Sequence, residues 1–287
     1  MSYRVSVIIP TLNRLESLKK TYQSVADQTY NNIEIIIVDD GSSNEVREEL
    51  INFLQEEDCI LIHNKTNLGL PGARNVGIEN ANGDFITFID DDDLMKKDRV
   101  ELFLKHWDHT DNNLYGLFTD QLNSDLKILH KNRKDKVFFE DLPLTNYVGN
   151  TIFTKKEILD KSGYFYPKLK MMEDFDYWLT LLSNKGSYFK RIDHATIIID
   201  NKGNDRMTDF TKDYVIKKTR VRDALSLIAR RHNLKNKDLI YLESHYYAFF
   251  PEDLKLIRTI SYLAGRYKKE FKYKILKIFI KKKVSLT

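Results

Sequence analysis

Four carboxylates stand in a row at Asp90-Asp91-Asp92-Asp93, directly after the apolar run Phe85-Ile86-Thr87-Phe88-Ile89. Adjacent unit charges at a protein surface repel by roughly a few kcal/mol, so such a run needs either a solvated turn or a cation. Side chains alternate along an extended chain, which sends Asp90 and Asp92 one way and Asp91 the other. Two carboxylates projecting together give a hard divalent cation its preferred oxygen ligands, with diphosphate oxygens and water completing the shell. A second acidic pair, Asp39-Asp40, is followed by Gly41-Ser42 and closes the run Ile33-Glu34-Ile35-Ile36-Ile37-Val38. A third, Glu173-Asp174, opens the aromatic stretch Phe175-Asp176-Tyr177-Trp178. That pair reads either as acids favoured in a first helical turn by the macrodipole or as a site for proton transfer. An aspartate with an unperturbed pKa of about 3.9 is ionised at neutral pH and can take a hydroxyl proton. Arg74 offers either a helix-surface ion pair or a fork of donors for an anion.

These residues must be positioned by the elements around them. Val5–Ile9, Ile33–Val38, Cys59–Ile62 and Phe85–Ile89 are short Ile- and Val-rich runs, as expected of strands buried on both faces of a parallel sheet. Helical spacing separates them: Leu15, Leu18, Tyr22 and Val25, then Val46, Leu50 and Phe53-Leu54, then residues 72–81. The alternation predicts an α/β, doubly wound fold. In such sheets ligands sit at the carboxyl ends of the strands, and two of those ends are acidic. The first strand runs into Pro10-Thr11-Leu12-Asn13 with no glycine-rich loop. That argues against a dinucleotide-binding domain and against a P-loop, so a bound diphosphate would need a cation held by the aspartates. Further on, Leu114–Thr119, Lys136–Phe139 and Thr151–Phe153 read as strands, 173–184 as a helix, and Ala195–Ile199 as a last strand. From about Phe210 the pattern is helical. The expected division is 1–115, 116–209 and a helical extension over 210–287.

Composition narrows the class. The chain has 287 residues, 42% hydrophobic and 31% charged, enough for one large domain and part of another. Aromatic residues at 12% exclude a disordered chain. The single cysteine, Cys59, excludes a disulfide framework and a cysteine zinc cluster. A strand begins within five residues of Met1, which predicts no signal peptide, and no window reaches the roughly 18 apolar residues of a membrane span. The expectation is a cytoplasmic protein. Its net charge of +4 is uneven: residues 255–283 hold eleven Lys and Arg against the single acid Glu270. Tyr267, Phe271, Ile275 and Ile278 share one helical face there. We read this segment as a peripheral attachment to an anionic inner membrane leaflet, with no nucleic-acid role. The alternatives are a solvated helix face and a homo-oligomerisation element.

Several segments taken in order carry a resemblance. Val5-Ser6-Val7-Ile8-Ile9-Pro10-Thr11-Leu12-Asn13-Arg14, Val38-Asp39-Asp40-Gly41-Ser42-Ser43, Asn67-x-Gly69 with Ala73-Arg74-Asn75-x-Gly77, and Gly83–Asp93 resemble glycosyltransferase family 2. The likeness returns at Glu173-Asp174-Phe175-Asp176-Tyr177-Trp178-Leu179 and does not reach the last 80 residues. It implies the GT-A fold, a Rossmann-like and mostly parallel central sheet flanked by helices, here with a C-terminal helical extension. It also implies an inverting, metal-dependent glycosyltransferase. The donor would be a nucleotide-sugar, with UDP as the expected nucleotide. The acceptor would be a hydroxyl of a glycan or lipid-linked oligosaccharide in surface polysaccharide synthesis.

By position, the resemblance makes Asp92 the direct ligand of Mn²⁺ or Mg²⁺ and turns Asp90 and Asp91 toward ribose and diphosphate. Asp40 would hydrogen-bond the base beside Pro10, Thr11 and Asn13, and Arg74 would meet the diphosphate. Asp174, with Glu173 beside it, would be the catalytic base. Phe175 and Trp178 are expected in the core, while Tyr177 stays open between core and sugar stacking. One departure stands out: Asp200-Asn201-Lys202-Gly203-Asn204-Asp205-Arg206-Met207-Thr208 lacks the histidine that many members place there. The third metal ligand is therefore unassigned, and His194 upstream reads as structural. Two other functions remain: a catalytically silent nucleotide-sugar-binding scaffold, and a sugar nucleotidyltransferase, which would want a glycine-rich N-terminal loop.

Overall fold

The computed structural model describes residues 2–129, 134–199 and 214–235, with 238, 239, 241, 242, 245, 246 and 250. The chain divides into two compact units, Met1–Leu142 with Asn146–Lys212, and Pro143–Thr145 with Asp213–Thr287. The first unit opens with β1 (Val5–Thr11), α1 (Leu15–Ala26), β2 (Ile33–Asp39), α2 (Asn44–Leu54), β3 (Ile60–His63), α3 (Gly69–Asn80) and β4 (Phe85–Phe88). It continues with β5 (Asp93–Met95), α4 (Arg99–His106), β6 (Leu114–Asn123), β7 (Lys136–Val137), β8 (Phe153–Lys155), α5 (Lys156–Ser162), α6 (Glu173–Leu181) and β9 (Tyr188–Ile199).

One mixed sheet joins the strands in the order β3-β2-β1-β4-β8-β6-β9-β5, with β7 beside β9. From β3 to β4 every pairing is parallel. Thereafter antiparallel β8 reverses the direction between β4 and β6, while β6 and β9 run parallel. The strands feed two cores. Val7, Ile9, Ile35 and Ile37 pack with Leu18, Tyr22, Val25, Leu50 and Leu54 of α1 and α2. Val5, Phe85 and Phe153 pack with Val100, Phe103 and Trp107 around α4. The α/β class and its helix-flanked sheet are as the sequence predicts.

Pro10 lies inside β1, opposite Val38, although proline cannot donate to a ladder. The alternation of the strand explains it. Ile8 accepts from Ile89 on the β4 side, and Thr11 accepts from Asp40 on the β2 side. Pro10 therefore faces the β4 side, where the register ends at Phe88, and no ladder bond is lost.

Elsewhere the boundaries move for local reasons. The third helix begins at Gly69 rather than 72, because the Asp40 carboxylate accepts the N–H groups of Leu68 and Gly69 and caps it from another loop. The strand expected at Lys136–Phe139 stops at Val137; the Phe138 N–H donates to Asp141 and a turn follows. The strand expected at Thr151–Phe153 lies at Phe153–Lys155, since the Thr151 hydroxyl is taken by the buried Arg99. The helix expected over 173–184 ends at Leu181. The last strand starts at Tyr188 instead of Ala195, and register shifts near Thr119–Gln121 break the alternation that would have marked it. The strand β5 and the helices α4 and α5 were not expected at all.

In the second unit α7 (Tyr214–Arg231) buries Val221, Ala224, Leu225 and Ile228, and His245 lies 3.0 Å from the Pro143 carbonyl. The stretch Asp200–Thr208 and the basic segment 255–283 lie outside the described residues. Among the described residues no helix is long and apolar enough to cross a membrane.

Close approach of α3 to β1 depends on Gly77, where a Cβ would stand 2.4 Å from Cγ2 of the fully buried Ile8. Overpacking of this kind costs about 1–3 kcal/mol. Gly77→Ala is expected to lower the urea midpoint accordingly; an unchanged midpoint would mean that α3 does not pack as described.

Candidate active site

The carboxylate run does not stay extended. The Asp93 N–H donates to the Asp90 carbonyl at 3.1 Å, so the chain turns between β4 and β5. The predicted alternation therefore fails: Asp91 and Asp92 converge, and Asp90 diverges from them. Nη1 of Arg14 reaches Oδ1 of Asp91 at 3.0 Å and Oδ2 of Asp92 at 2.8 Å. The Thr11 hydroxyl donates to the other oxygen of Asp91 at 2.7 Å. Burial pushes the Asp91 carboxyl up to about 6, with Thr11 and Arg14 only partly offsetting it.

Asp90 turns instead to Arg74. This guanidinium is fully buried, neither a surface ion pair nor a free fork. One terminal nitrogen is 2.8 Å from Oδ1 of Asp90 and the other 3.0 Å from Oε1 of Glu173. Burial works against its charge, but the carboxylates of Asp90, Glu173 and Asp174 outweigh it and raise the pKa. The second oxygen of Asp90 accepts from the Asn150 amide at 2.9 Å. Asn150 in turn accepts from Gln121 at 2.7 Å. Next to it, Gly149 takes φ +78°, and its carbonyl accepts the Trp178 indole N–H at 2.8 Å.

The helix α6 starts from Met172, whose φ of +60° is left-handed. Its first turn presents Glu173 to Arg74, and Asp174 beside it. The carboxylate of Asp174 accepts from the Asn146 amide at 3.0 Å and the Phe175 N–H at 2.7 Å. The surrounding protein and then the Glu173 charge push its pKa up to about 7, and Arg74 compensates only in part. That corrects the expectation of an ordinary carboxylate: burial and the Glu173 charge favour its protonated form. Phe175 and Trp178 are core residues as expected, and Tyr177 joins them. The Tyr177 hydroxyl donates to the Gly163 carbonyl, and its ring lies 3.9 Å from that of Phe165.

Asp40 and Asn13 hold the adjoining loops. Besides Leu68 and Gly69, Asp40 accepts from the Asn64 amide at 2.8 Å. Asn13, at φ +55°, receives the Ser43 N–H at 2.8 Å and donates its own to the Ser42 hydroxyl. His194 is an exposed neighbour of Asp98 at 3.5 Å. Thr11, Asp91 and Asp92 therefore meet around Arg14, Asp90 and Glu173 meet on Arg74, and Asp174 adjoins Glu173 in the first turn of α6. Sequence reasoning missed Arg14, Asn146, Asn150 and Gln121. Arg14 had a signal, directly after Asn13 in a quoted segment; the amides stand in stretches with no periodicity.

Among the described residues no three His, Cys, Asp or Glu side chains gather as a metal cage. Asp92 is partly exposed, and its second oxygen accepts no hydrogen bond from a described residue. Such a donor suits a cation that keeps water and takes substrate phosphate oxygens, as Mg²⁺ commonly does.

The model of the family described as "Glycosyl transferase family 2" matches residues 6–177. The chain belongs to that family. One relative, the "Putative colanic acid biosynthesis glycosyl transferase WcaA" of Escherichia coli K12, is 29% identical over 73% of this chain and 77% of its own. An uncharacterized glycosyltransferase of Rickettsia felis is 44% identical over 36% of this chain, but the match spans 17% of that protein. For glycosyltransferase GlyA of Streptococcus pneumoniae the figures are 39%, 36% and 15%. Among solved structures, S. aureus TarS 1-349 in complex with UDP-GlcNAc aligns with a TM-score of 0.63 at 18% identity, covering 96% of this chain and 79% of that one. Mannosyltransferase PcManGT from Pyrobaculum calidifontis, in complex with GDP-Man and Mn²⁺, aligns at 0.64 and 14% identity over 100% and 81%. At these identities the likeness is one of fold, and the fold is GT-A.

For this family 2 chain the environment of Asp174 has a direct readout. Carboxyl-carbon NMR across pH 3–9 is expected to contain a resonance with a midpoint near 7 that Asp174→Asn removes. A spectrum in which every aspartate titrates in the ordinary range near 4 contradicts the site as described.

Proposed function

We propose that this chain is an inverting glycosyltransferase that moves a sugar from a nucleotide-sugar, a UDP-sugar in our reading, to a hydroxyl of a glycan or lipid-linked acceptor. The observation that carries the proposal is the pair Glu173-Asp174 tied through Arg74 to the carboxylate turn after β4. It sets a proton acceptor beside a carboxylate edge suited to a cation. The solved neighbours with UDP-GlcNAc and with GDP-Man and Mn²⁺ support a nucleotide-sugar donor.

The residues divide the work. Asp40, Pro10, Thr11 and Asn13 border the base and ribose, and Asp90 and Asp91 line the sugar-diphosphate side. Asp92 would hold Mn²⁺ or Mg²⁺. When bound, the cation supplies Lewis-acid stabilisation of the departing diphosphate. Asp174 takes the proton of the acceptor hydroxyl as its oxygen attacks the anomeric carbon from the face opposite the diphosphate, and the configuration inverts. A base with a pKa near 7 is well matched to that task. Arg74 keeps Glu173 and Asp90 in place and lies one residue's width from the base. Residues 1–115 serve the donor and 116–209 the acceptor. The basic segment 255–283 suits attachment to an anionic cytoplasmic membrane surface, where lipid-linked acceptors are presented, in support of surface polysaccharide synthesis.

A thermal-shift panel of nucleotides with and without Mn²⁺, followed by donor turnover, tests the reading. UDP is expected to stabilise the protein strongly only with the metal. Transfer should rise with pH through about 7, because the deprotonated Asp174 is the active form. Asp174→Asn should keep the thermal shift and lose about 10²–10⁴-fold in transfer. Metal-dependent nucleotide binding without turnover of any donor would instead favour a silent scaffold, and full activity in Asp174→Asn would remove the residue from the mechanism.

A further inference from the structure

Two arginines face the carboxylate turn, and they are not equivalent. Arg74 is 1% exposed and locked between Asp90 and Glu173. Arg14 sits at the start of α1 with its side chain 32% exposed, and a single nitrogen bridges Asp91 and Asp92. That nitrogen stands on the Asp92 carboxylate that the proposed function gives to the divalent cation. A cation coordinated there at about 2.0–2.6 Å would lie within a few ångströms of the guanidinium charge and compete with it for the same carboxylate. Asp91, 5% exposed, also needs a counter-charge when no donor is present, since the Thr11 hydroxyl that holds its other oxygen is neutral.

We propose that Arg14 is a built-in counter-cation: it occupies Asp91 and Asp92 in the donor-free protein and gives up Asp92 to a divalent cation when a nucleoside diphosphate arrives. This rests on the reading of Asp92 as the cation ligand. The diphosphate supplies the new partner, because a guanidinium fork matches phosphate oxygens. The Arg14 side chain is partly exposed, whereas Arg74 would have to leave two carboxylates inside the core. The consequence is order: the cation binds weakly alone and tightly once the diphosphate has drawn Arg14 away. The surface charge exchanged is local, so a charge-conserving replacement should preserve the effect and a neutral one should abolish it.

The experiment is a Mn²⁺ titration of the full chain followed by electron paramagnetic resonance of the free ion, with and without saturating UDP. Wild type, Arg14→Gln, Arg14→Lys and Asp92→Asn are compared, and melting curves verify that each is folded. Without UDP, Arg14→Gln is expected to bind Mn²⁺ about ten-fold more tightly than wild type, a factor set by the removal of one nearby positive charge. Arg14→Lys should stay close to wild type. With UDP, wild type should gain affinity for Mn²⁺ and the gap to Arg14→Gln should close. Equal or weaker binding of Mn²⁺ by Arg14→Gln without UDP overturns the proposal. A different result speaks to the underlying reading: if UDP fails to promote Mn²⁺ binding in wild type, or if Asp92→Asn binds Mn²⁺ with UDP as well as wild type does, the cation is not at Asp92.

Discussion

A single buried guanidinium ties the two ends of this site together. Arg74 projects from α3 into the core and holds Asp90, at the end of the parallel strands, and Glu173, at the start of α6. The two carboxylates come from segments far apart in sequence, Glu173 being 99 residues from Arg74. Removing a charge from water is expensive, and a buried ion pair is repaid only when its geometry is good and its remaining groups are hydrogen-bonded. The site meets that condition on the Asp90 side through Asn150 and Gln121. Any rearrangement that separates the turn after β4 from α6 would leave a charge stranded.

This arrangement also sorts the carboxylates by function. Asp90, Asp91 and Glu173 each have an arginine within 3.0 Å. Asp174 has only the neutral Asn146 amide and a backbone N–H, with the Glu173 charge beside it. It is thus driven toward protonation, while its neighbours serve as anchors. A carboxyl group held well above its ordinary range arises without any histidine among its described contacts. The helix begins after a left-handed residue, Met172, and carries both carboxyl groups in its first turn.

How much of this was legible from sequence follows from the same physics. The strands β1, β2 and β4 announce themselves because strands buried on both faces are dominated by apolar residues, as Ile35–Val38 is, while the edge strand β3 is legible from the run Ile60-Leu61-Ile62. Strand β9 hides because Lys190, Arg191, Asp193 and His194 interrupt it where its register with β6 shifts. Within the site, residue type was readable and partnership was not. Alternation paired Asp90 with Asp92, but the turn closed by Asp93 pairs Asp91 with Asp92 on Arg14. The Asp174 environment was invisible, since the Asn146 amide and the burial that raise or temper its pKa arise only from tertiary contact. Arg74 carried a positional signal but no hint that it would be wholly buried.

The central claim is that Arg74 and Glu173 act as one unit joining the two ends of the site. A double-mutant cycle measures that directly, by urea denaturation of wild type, Arg74→Met, Glu173→Gln and the double variant at pH 7. The account predicts a coupling of about 1–3 kcal/mol between the two positions, in the range found for contacting charged groups. Losses that simply add, within about 0.5 kcal/mol, would contradict it.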